Sequence, residues 1–307
     1  MKKRSVFIFI LAAVIMLSPF ARRAFTFTPC SADTAEGCAL AATVQSAAAI
    51  IKKPQNALRV ISFNLLADTH GFGGSPAEMR APAAAEILRA FKGDVLCLQE
   101  VSPEWFSCLK MNIGGIYKAV QPVRTAVFSK MNVIMYNSRT VTLIKSGSVQ
   151  FSVGNDTRTR FAVWAVFEQR QSGKSYAVIN CHFNLIKSNI DTGNSLSAAN
   201  QSNEICALAG DLYRGFACPV IAAGDFNCRE HRTETDSSYI YSRLVSYFTD
   251  ARTAAESVFV GAQKRFESTS GDHIFITGTA DVKSYNILAL PHSETVSDHF
   301  AVFSDFL

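Results

Sequence analysis

Val220-Ile221-Ala222-Ala223-Gly224-Asp225-Phe226-Asn227 carries in eight residues the pattern on which the fold of this chain turns. An apolar run too short for a helix reads as a buried strand, and it closes on a turn that bears polar side chains. Gly224 lets the backbone bend tightly, so Asp225 and Asn227 stand together at the strand end. Alone, Gly-Asp-Phe-Asn is an ordinary turn. Outward from it, four more apolar runs end in the same way: Val60-Ile61-Ser62-Phe63-Asn64, Val95-Leu96-Cys97-Leu98-Gln99-Glu100, Val178-Ile179-Asn180-Cys181-His182, and Val296-Ser297-Asp298-His299. Each has an ordinary reading, since Asn ends turns, Glu is solvated and a lone His is more often structural. Five strand ends delivering Asn, Glu, His, Asp/Asn and Asp/His are not accounted for by five accidents. Rigid sheets present such side chains to a shared cleft.

Between these runs, apolar segments alternate with helical patterns. Strands are predicted at Arg59–Leu66, Asp94–Gln99, Thr125–Phe128, Asn132–Tyr136, Thr140–Ile144, Phe161–Glu168, Ser175–Phe183, Val220–Ala223, Asp272–Thr277 and Phe300–Phe303. Helices are predicted at Ala77–Phe91, Pro103–Met111, Ser195–Leu212 and Ser237–Phe248. Short turns in the middle of the chain imply antiparallel pairing. A strand-rich α/β chain without a GxGxxG or Walker loop points to two packed sheets flanked by helices, ahead of a doubly wound parallel sheet.

The chain has 307 residues, 48% hydrophobic and 18% charged, ample for a large core. Its net charge of +5 sits at the front: residues 1–53 hold seven Lys/Arg against Asp33 and Glu36, leaving 23 of each sign in the remainder. A neutral body removes the simplest argument for tight, nonspecific polyanion binding. Lys2-Lys3-Arg4, the uncharged run Ser5–Ala21 and Arg22-Arg23 have the layout of an export signal or membrane anchor. No small-x-small cleavage site follows, so residues 1–24 are expected as a signal-anchor ahead of a cleaved peptide, with the body outside the cytoplasm, membrane-anchored or secreted. Residues 25–56, rich in Ala, Thr and Ser, are expected as a linker, and the folded domain is expected over 57–307. Of eight cysteines, only Cys30 with Cys38 or Cys218 with Cys228 are plausible disulfide pairs, and no spacing suggests zinc.

The polar strand ends suit phosphoester hydrolysis. Hard oxygen donors from Glu, Asp and Asn select Mg²⁺ or a similar cation over zinc. Asp225 beside Asn227 can hold and activate a water, while imidazoles stabilise charge on the phosphorane or leaving group.

In order and wording the motifs resemble the endonuclease/exonuclease/phosphatase superfamily, also called deoxyribonuclease-I-like, from Arg59 to the C-terminus. The matching stretches are SFNLLAD, LCLQE, NCHFN, GDFN, GDHIF and SDH, with Cys181 and Phe183 departing at supporting positions. The resemblance implies a four-layer helix-sheet-sheet-helix sandwich with two mostly antiparallel sheets and one cleft. It implies Asn64, Glu100 and Asp298 as ligands of Mg²⁺ or Mn²⁺, and His182, Asp225, Asn227, Asp272 and His299 as catalytic groups. Asp225 would be the base, and Asp272 would orient His299. Asn132 and Arg160 are implied as substrate contacts; the alternatives are a packing or ion-pair role near the site for Arg160, and for Asn132 orienting active-site residues or ending a turn. His70, His231, His273 and His292 match no catalytic position.

The expected activity is that of a metal-dependent phosphodiesterase or nuclease, its substrate a nucleic acid or a phospholipid head group, acting as a monomer. Within the family the alternative is a lipid phosphodiesterase or phosphoinositide phosphatase. From another class comes a catalytically inactive, membrane-tethered binding module. Inactive members lose metal or base positions, whereas all eight are present here.

Overall fold

The computed structural model describes residues 35–67, 76–120, 131–152, 160–185, 192–228, 236–262, 271–278 and 281–307. In chain order the elements are α1 (Ala35–Ile50), β1 (Leu58–Asn64), α2 (Ala77–Phe91), β2 (Val95–Val101), α3 (Pro103–Ile113), β3 (Tyr117–Ala119), β4 (Met131–Asn137), β5 (Val141–Gln150), β6 (Phe161–Gln169), β7 (Ser175–His182), α4 (Thr192–Phe216), β8 (Val220–Asp225), α5 (Asp236–Val245), β9 (Thr249–Asp250), α6 (Ala251–Ala254), β10 (Ser257–Val260), β11 (Asp272–Ile276), β12 (Val282–Ile287) and β13 (Val302–Phe306).

Two sheets form the centre. The first runs β10-β12-β13-β1-β2-β4-β3 and the second β5-β6-β7-β8-β11-β9. Most neighbours are antiparallel, but β1 with β2 and β7 with β8 are parallel, and these pairs lie inside the sheets. Strands buried on both faces carry mainly apolar side chains on both, which is why β1, β2 and β8 show no strict in-out alternation, with Arg59, Ser62 and Gln99 as buried polar exceptions. One apolar cluster, with Val60, Val95, Val178 and Ile221, fills the space between the sheets. A second joins the first sheet to α1, α2 and α3, and a third joins the other sheet to α4 and α5. Three apolar layers between four structural layers give the expected sandwich.

Local chemistry explains the element ends that shape the site. At α3, Pro103 occupies the first turn and the Ser102 hydroxyl accepts the Trp105 N–H at 3.1 Å, a cap worth about 1 kcal/mol. At β8, a Cβ on Gly224 would lie 2.0 Å from the Cys181 carbonyl oxygen, so only glycine permits the parallel strands to close this tightly.

Three expectations are corrected. Val296-Ser297-Asp298-His299, read as a strand end, lies in the loop before β13, held there by the Ser297 hydroxyl donating to the Asn64 carbonyl. Residues 35–50 form α1, where a linker was expected, and Leu40, Val44, Ala47 and Ile51 pack into the core at helical spacing. Cys218 and Cys228 are both buried thiols with no bridge. They lie beyond opposite ends of β8, whose length alone separates them by about 17 Å, far more than a disulfide spans. The strand expected at Thr125–Phe128, Cys30, and the charged apolar start fall outside the described residues. Among those described, no helix is long and apolar enough to cross a membrane.

Candidate active site

Strand register assembles the centre. His182 lies opposite Asp225 across the parallel β7/β8 pair, and Asp272 lies opposite Asp225 across the antiparallel β8/β11 pair. Side chains at matching positions on neighbouring strands share a face, so all three stand in a row. From the first sheet, Asn64 at the end of β1 donates Nδ2–H to Asp225 Oδ2 at 3.0 Å. His182 Nε2 is 3.4 Å and His299 Nε2 3.8 Å from that same oxygen. Oδ1 of Asp225 accepts the Asn227 N–H at 3.0 Å, and Asn227 Nδ2 donates to the Phe183 carbonyl at 2.9 Å. His299 Nδ1 is 2.7 Å from Asp272 Oδ2, which fixes the ring and turns Nε2 toward Asp225.

Part of the backbone strain lies at this centre. Glu100, Asn227 and Leu66 have φ of 58°, 51° and 52°, a conformation that costs non-glycine residues about 1–3 kcal/mol each. Glu100 also lies where the β2/β4 register shifts between Leu98 and Val101, a bulge that re-aims its carboxylate out of the strand pattern. Glu100 Oε2 then accepts the Ala67 N–H at 2.9 Å.

The two imidazoles beside Asp225 hold opposite charge states. Burial, helped by the Arg160 guanidinium, pushes His182 down to about 4, leaving it neutral at pH 7. Burial would lower His299 too, but the Asp272 and Asp225 carboxylates outweigh it and raise it to about 10. Burial lifts Asp272 to about 6 against the pull of His299, so it is ionised at neutral pH. Asp225 is likewise penalised by burial, yet His182, His299 and the donors Asn64 and Asn227 hold it below the ordinary carboxylate value. The result is an ionised carboxylate between a neutral and a charged imidazole, the arrangement that divides acid from base roles.

A hard divalent cation suits the donor set. Glu100 and Asp298 offer carboxylates and Asn64 an amide oxygen. In addition, ligand atoms of Asp225, Asp272 and His299 lie within 4.8 Å of one another, and Asp272 Oδ1 is buried without a hydrogen-bond partner. Because His299 Nδ1 is already engaged by Asp272, this trio reads first as an orienting pair facing Asp225. Asp298 is exposed, its Oδ1 3.4 Å from the Ser297 hydroxyl oxygen.

The two implied substrate contacts do not touch Asp225. Asn132 Nδ2 donates to the Phe161 carbonyl at 2.8 Å, tying one sheet to the other. Arg160 Nε donates to Asn184 Oδ1 at 3.0 Å, and the Asn184 N–H donates to Gln201 Oε1 on α4 at 2.9 Å. His273 is buried beside Asp250, with Nε2 3.1 Å from the Cys228 carbonyl, and His292 is half-buried. His70 and His231 lie outside the described residues.

Reading the sequence missed the supports beneath the centre. Gln99 Nε2 donates to Asn180 Oδ1 at 2.8 Å, and Asn180 Nδ2 donates to the Leu98 and Val133 carbonyls, stitching the sheets under Glu100 and His182. Ser297 Oγ donates to the Asn64 carbonyl at 2.7 Å and accepts the His299 N–H at 3.2 Å. Their signal was present: each is a polar residue adjoining or inside a motif, within an otherwise apolar run.

A family profile described as the endonuclease/exonuclease/phosphatase family matches residues 61–299. Among solved structures the chain is similar to an endonuclease/exonuclease/phosphatase family protein of Bacteroides thetaiotaomicron, at 20% identity over 83% of this chain and 96% of that one, with a TM-score of 0.67. A mannosyl-6-phosphatase of the same species gives 20% identity over 81% and 99%, with a TM-score of 0.66. The human Nocturnin catalytic domain, solved with a bound sulfate anion, gives 18% over 83% and 96%, with a TM-score of 0.61. No curated protein matches the chain.

Proposed function

The chain belongs to the endonuclease/exonuclease/phosphatase family, and on that premise we propose that it hydrolyses phosphoester bonds with a divalent cation, Mg²⁺ or Mn²⁺, as its cofactor. The observation that carries this reading is the Asp225 carboxylate, contacted by Asn64, neutral His182 and charged His299. Asp225 holds the attacking water through the oxygen it shares with these groups and takes its proton. Asn227, locked to Phe183, keeps that carboxylate oriented. His299, backed by Asp272, places positive charge where negative charge develops on the phosphoryl group, and His182 donates a hydrogen bond there. Asn64, Glu100 and Asp298 would hold the cation, which when bound supplies charge neutralisation at the phosphoryl oxygens. Arg160 extends the cationic side of the cleft, and Asn132 holds its wall.

The substrate class is a phosphodiester, a nucleic acid or a phospholipid head group, and the protein is proposed to act as a monomer. Similarity to a mannosyl-6-phosphatase supports including phosphomonoesters, and the sulfate held by Nocturnin supports a site for a tetrahedral anion. The purified chain should therefore be assayed with Mg²⁺ or Mn²⁺ against DNA, RNA, sphingomyelin, phosphoinositides, a sugar phosphate and a chromogenic phosphodiester. Turnover of at least one, abolished by EDTA, is expected. Binding without turnover would favour the inactive tethered module.

Residues 1–24 are proposed to hold the catalytic domain at a membrane, outside the cytoplasm. The charged flanks of Ser5–Ala21 support this reading. Retention of the expressed protein in membranes through an alkaline carbonate wash is the expected result, and recovery of a shortened soluble form would replace the anchor with a cleaved signal.

A further inference from the structure

α2 carries a buried arginine that serves two loops at once. Arg80 Nη1 donates to the Leu65 carbonyl at 2.8 Å and to the Val296 carbonyl at 2.9 Å, and Nη2 donates to the Leu66 carbonyl at 2.7 Å. Its guanidinium carbon lies 4.9 Å from the centre of the Trp105 ring, whose Nε1–H donates to the same Leu66 carbonyl at 3.0 Å. The side chain is 2% exposed. Leu65 and Leu66 directly follow Asn64, and Val296 lies two residues before Asp298.

What these carbonyls belong to gives the contacts their meaning. The Leu66 N–H donates to Asn64 Oδ1 at 3.0 Å, and the Ala67 N–H donates to Glu100 Oε2. On the other loop, Ser297 binds both the Asn64 carbonyl and the His299 N–H. Leu66 holds a positive φ, which a loop left to itself would relax. A planar fork with donors at fixed angles can hold carbonyls from two loops in one geometry. A lysine ammonium, on a flexible stem, cannot impose that geometry.

We infer that Arg80, seated on Trp105, is a positioning residue for cation binding: by tying the 65–67 loop to the 296–299 loop it presets Asn64, Glu100 and Asp298 before a cation arrives. This rests on the cation reading given under the proposed function. Loss of the tie leaves the ligands present but obliges cation binding to order both loops.

The test is calorimetric titration of the metal-free protein with Mn²⁺, paired with turnover of a chromogenic phosphodiester. Arg80→Lys is expected to weaken Mn²⁺ binding about 10- to 100-fold, the range for loss of a group that orients ligands. The same variant should lower kcat while KM moves less than about threefold. Trp105→Phe keeps the stacked ring but removes one bond, and a weakening of about two- to fivefold is expected, in the same direction. Ile87→Val, buried on the same helix, lowers thermal stability and should leave Mn²⁺ affinity unchanged. Wild-type Mn²⁺ affinity in folded Arg80→Lys overturns the inference, as does affinity that tracks melting temperature across all three variants. Should Arg80→Lys not fold, unchanged affinity in Trp105→Phe overturns it instead. Glu100→Gln separates the two failures. If it loses Mn²⁺ while Arg80→Lys does not, only the role of Arg80 falls; if it binds as wild type, the cation assignment falls and the inference with it.

Discussion

Arg59 and Asn64 stand at opposite ends of one strand, and the buried polar groups around them follow opposite rules. At the Arg59 end every charge is answered. Nε and Nη2 of Arg59 grip both oxygens of Asp305 at 2.7 Å, Nη1 donates to the Phe91 carbonyl, and Ser284 donates to Asp305 Oδ2. Asp94 accepts the Arg59 N–H and pairs with Lys53. At the Asn64 end the carboxylates of Asp225 and Asp272 converge, and Asp272 Oδ1 has no hydrogen-bond partner. One end is closed on itself and the other is held open, with like charge retained where a ligand would relieve it. Stability and chemistry are thus divided along the length of the same strands.

The largest test of this division is at the open end. Asp225→Asn should reduce kcat by ~2 to 4 orders of magnitude with KM much less affected, and His299→Ala should match it. Asp272→Ala should do less, since it acts through His299. The double variant Asp225→Asn with His299→Ala should be little worse than either alone, whereas full additivity would show that the two groups do not act as a unit. At the closed end, Arg59→Met should remove about 3–5 kcal/mol of stability in urea titrations, because Asp305 is left charged and buried. Activity per folded molecule should be unchanged. A loss of kcat there would mean the two ends are coupled.

A pH titration sharpens the contrast further. His299 is raised from 6.5 to about 10 in the folded protein, so its contribution is fully present below 6.5 and is lost as pH rises through 10. Asp272, raised from 3.8 to about 6, acts in the same sense but in an earlier window, its stability lost as pH climbs from about 4 to 6. Between pH 7 and 10 the wild type should therefore lose stability that His299→Gln does not. Parallel curves for the two proteins would remove the charged-imidazole assignment. The smallest expected effect lies far from both ends: Val44→Ala in α1 should cost about 1–2 kcal/mol and leave kcat unchanged. A neutral result would return α1 to the status of a linker.

Legibility in the sequence followed the same division. Strands that end in polar motifs could be read because a short, continuous apolar run closing on Asn, Glu, His or Asp is the mark of a buried strand leaving the core. Their register, and with it the row His182, Asp225, Asp272, could not, since pairing depends on contacts far apart in the chain. α1 was missed because its buried stripe sits among Ala, Ser and Thr, the composition of a linker. β12, VKSYNI, was missed because Lys283, Ser284 and Asn286 interrupt its apolar pattern, although Ser284 and Asn286 are buried by hydrogen bonding beside Asp305. Arg80 belongs to no motif in the sequence. Its place on the stripe of Ala77, Ala81, Ala84 and Leu88 was the available sign that it points inward.

If residues 1–24 anchor the chain as proposed, the helix found where a linker was expected limits the reach of the body. With residues 1–24 fixed in a bilayer and a free chain to residue 56, the catalytic body could range about 110 Å from its attachment, at about 3.4 Å per extended residue. Because α1 is packed into the body from residue 35, no more than the ten residues 25–34 could separate such an anchor from the body, a limit of about 34 Å. A body so tethered would sweep a thin shell above its own membrane, meeting head groups and whatever adheres to them at high local concentration and bulk solutes at none in particular.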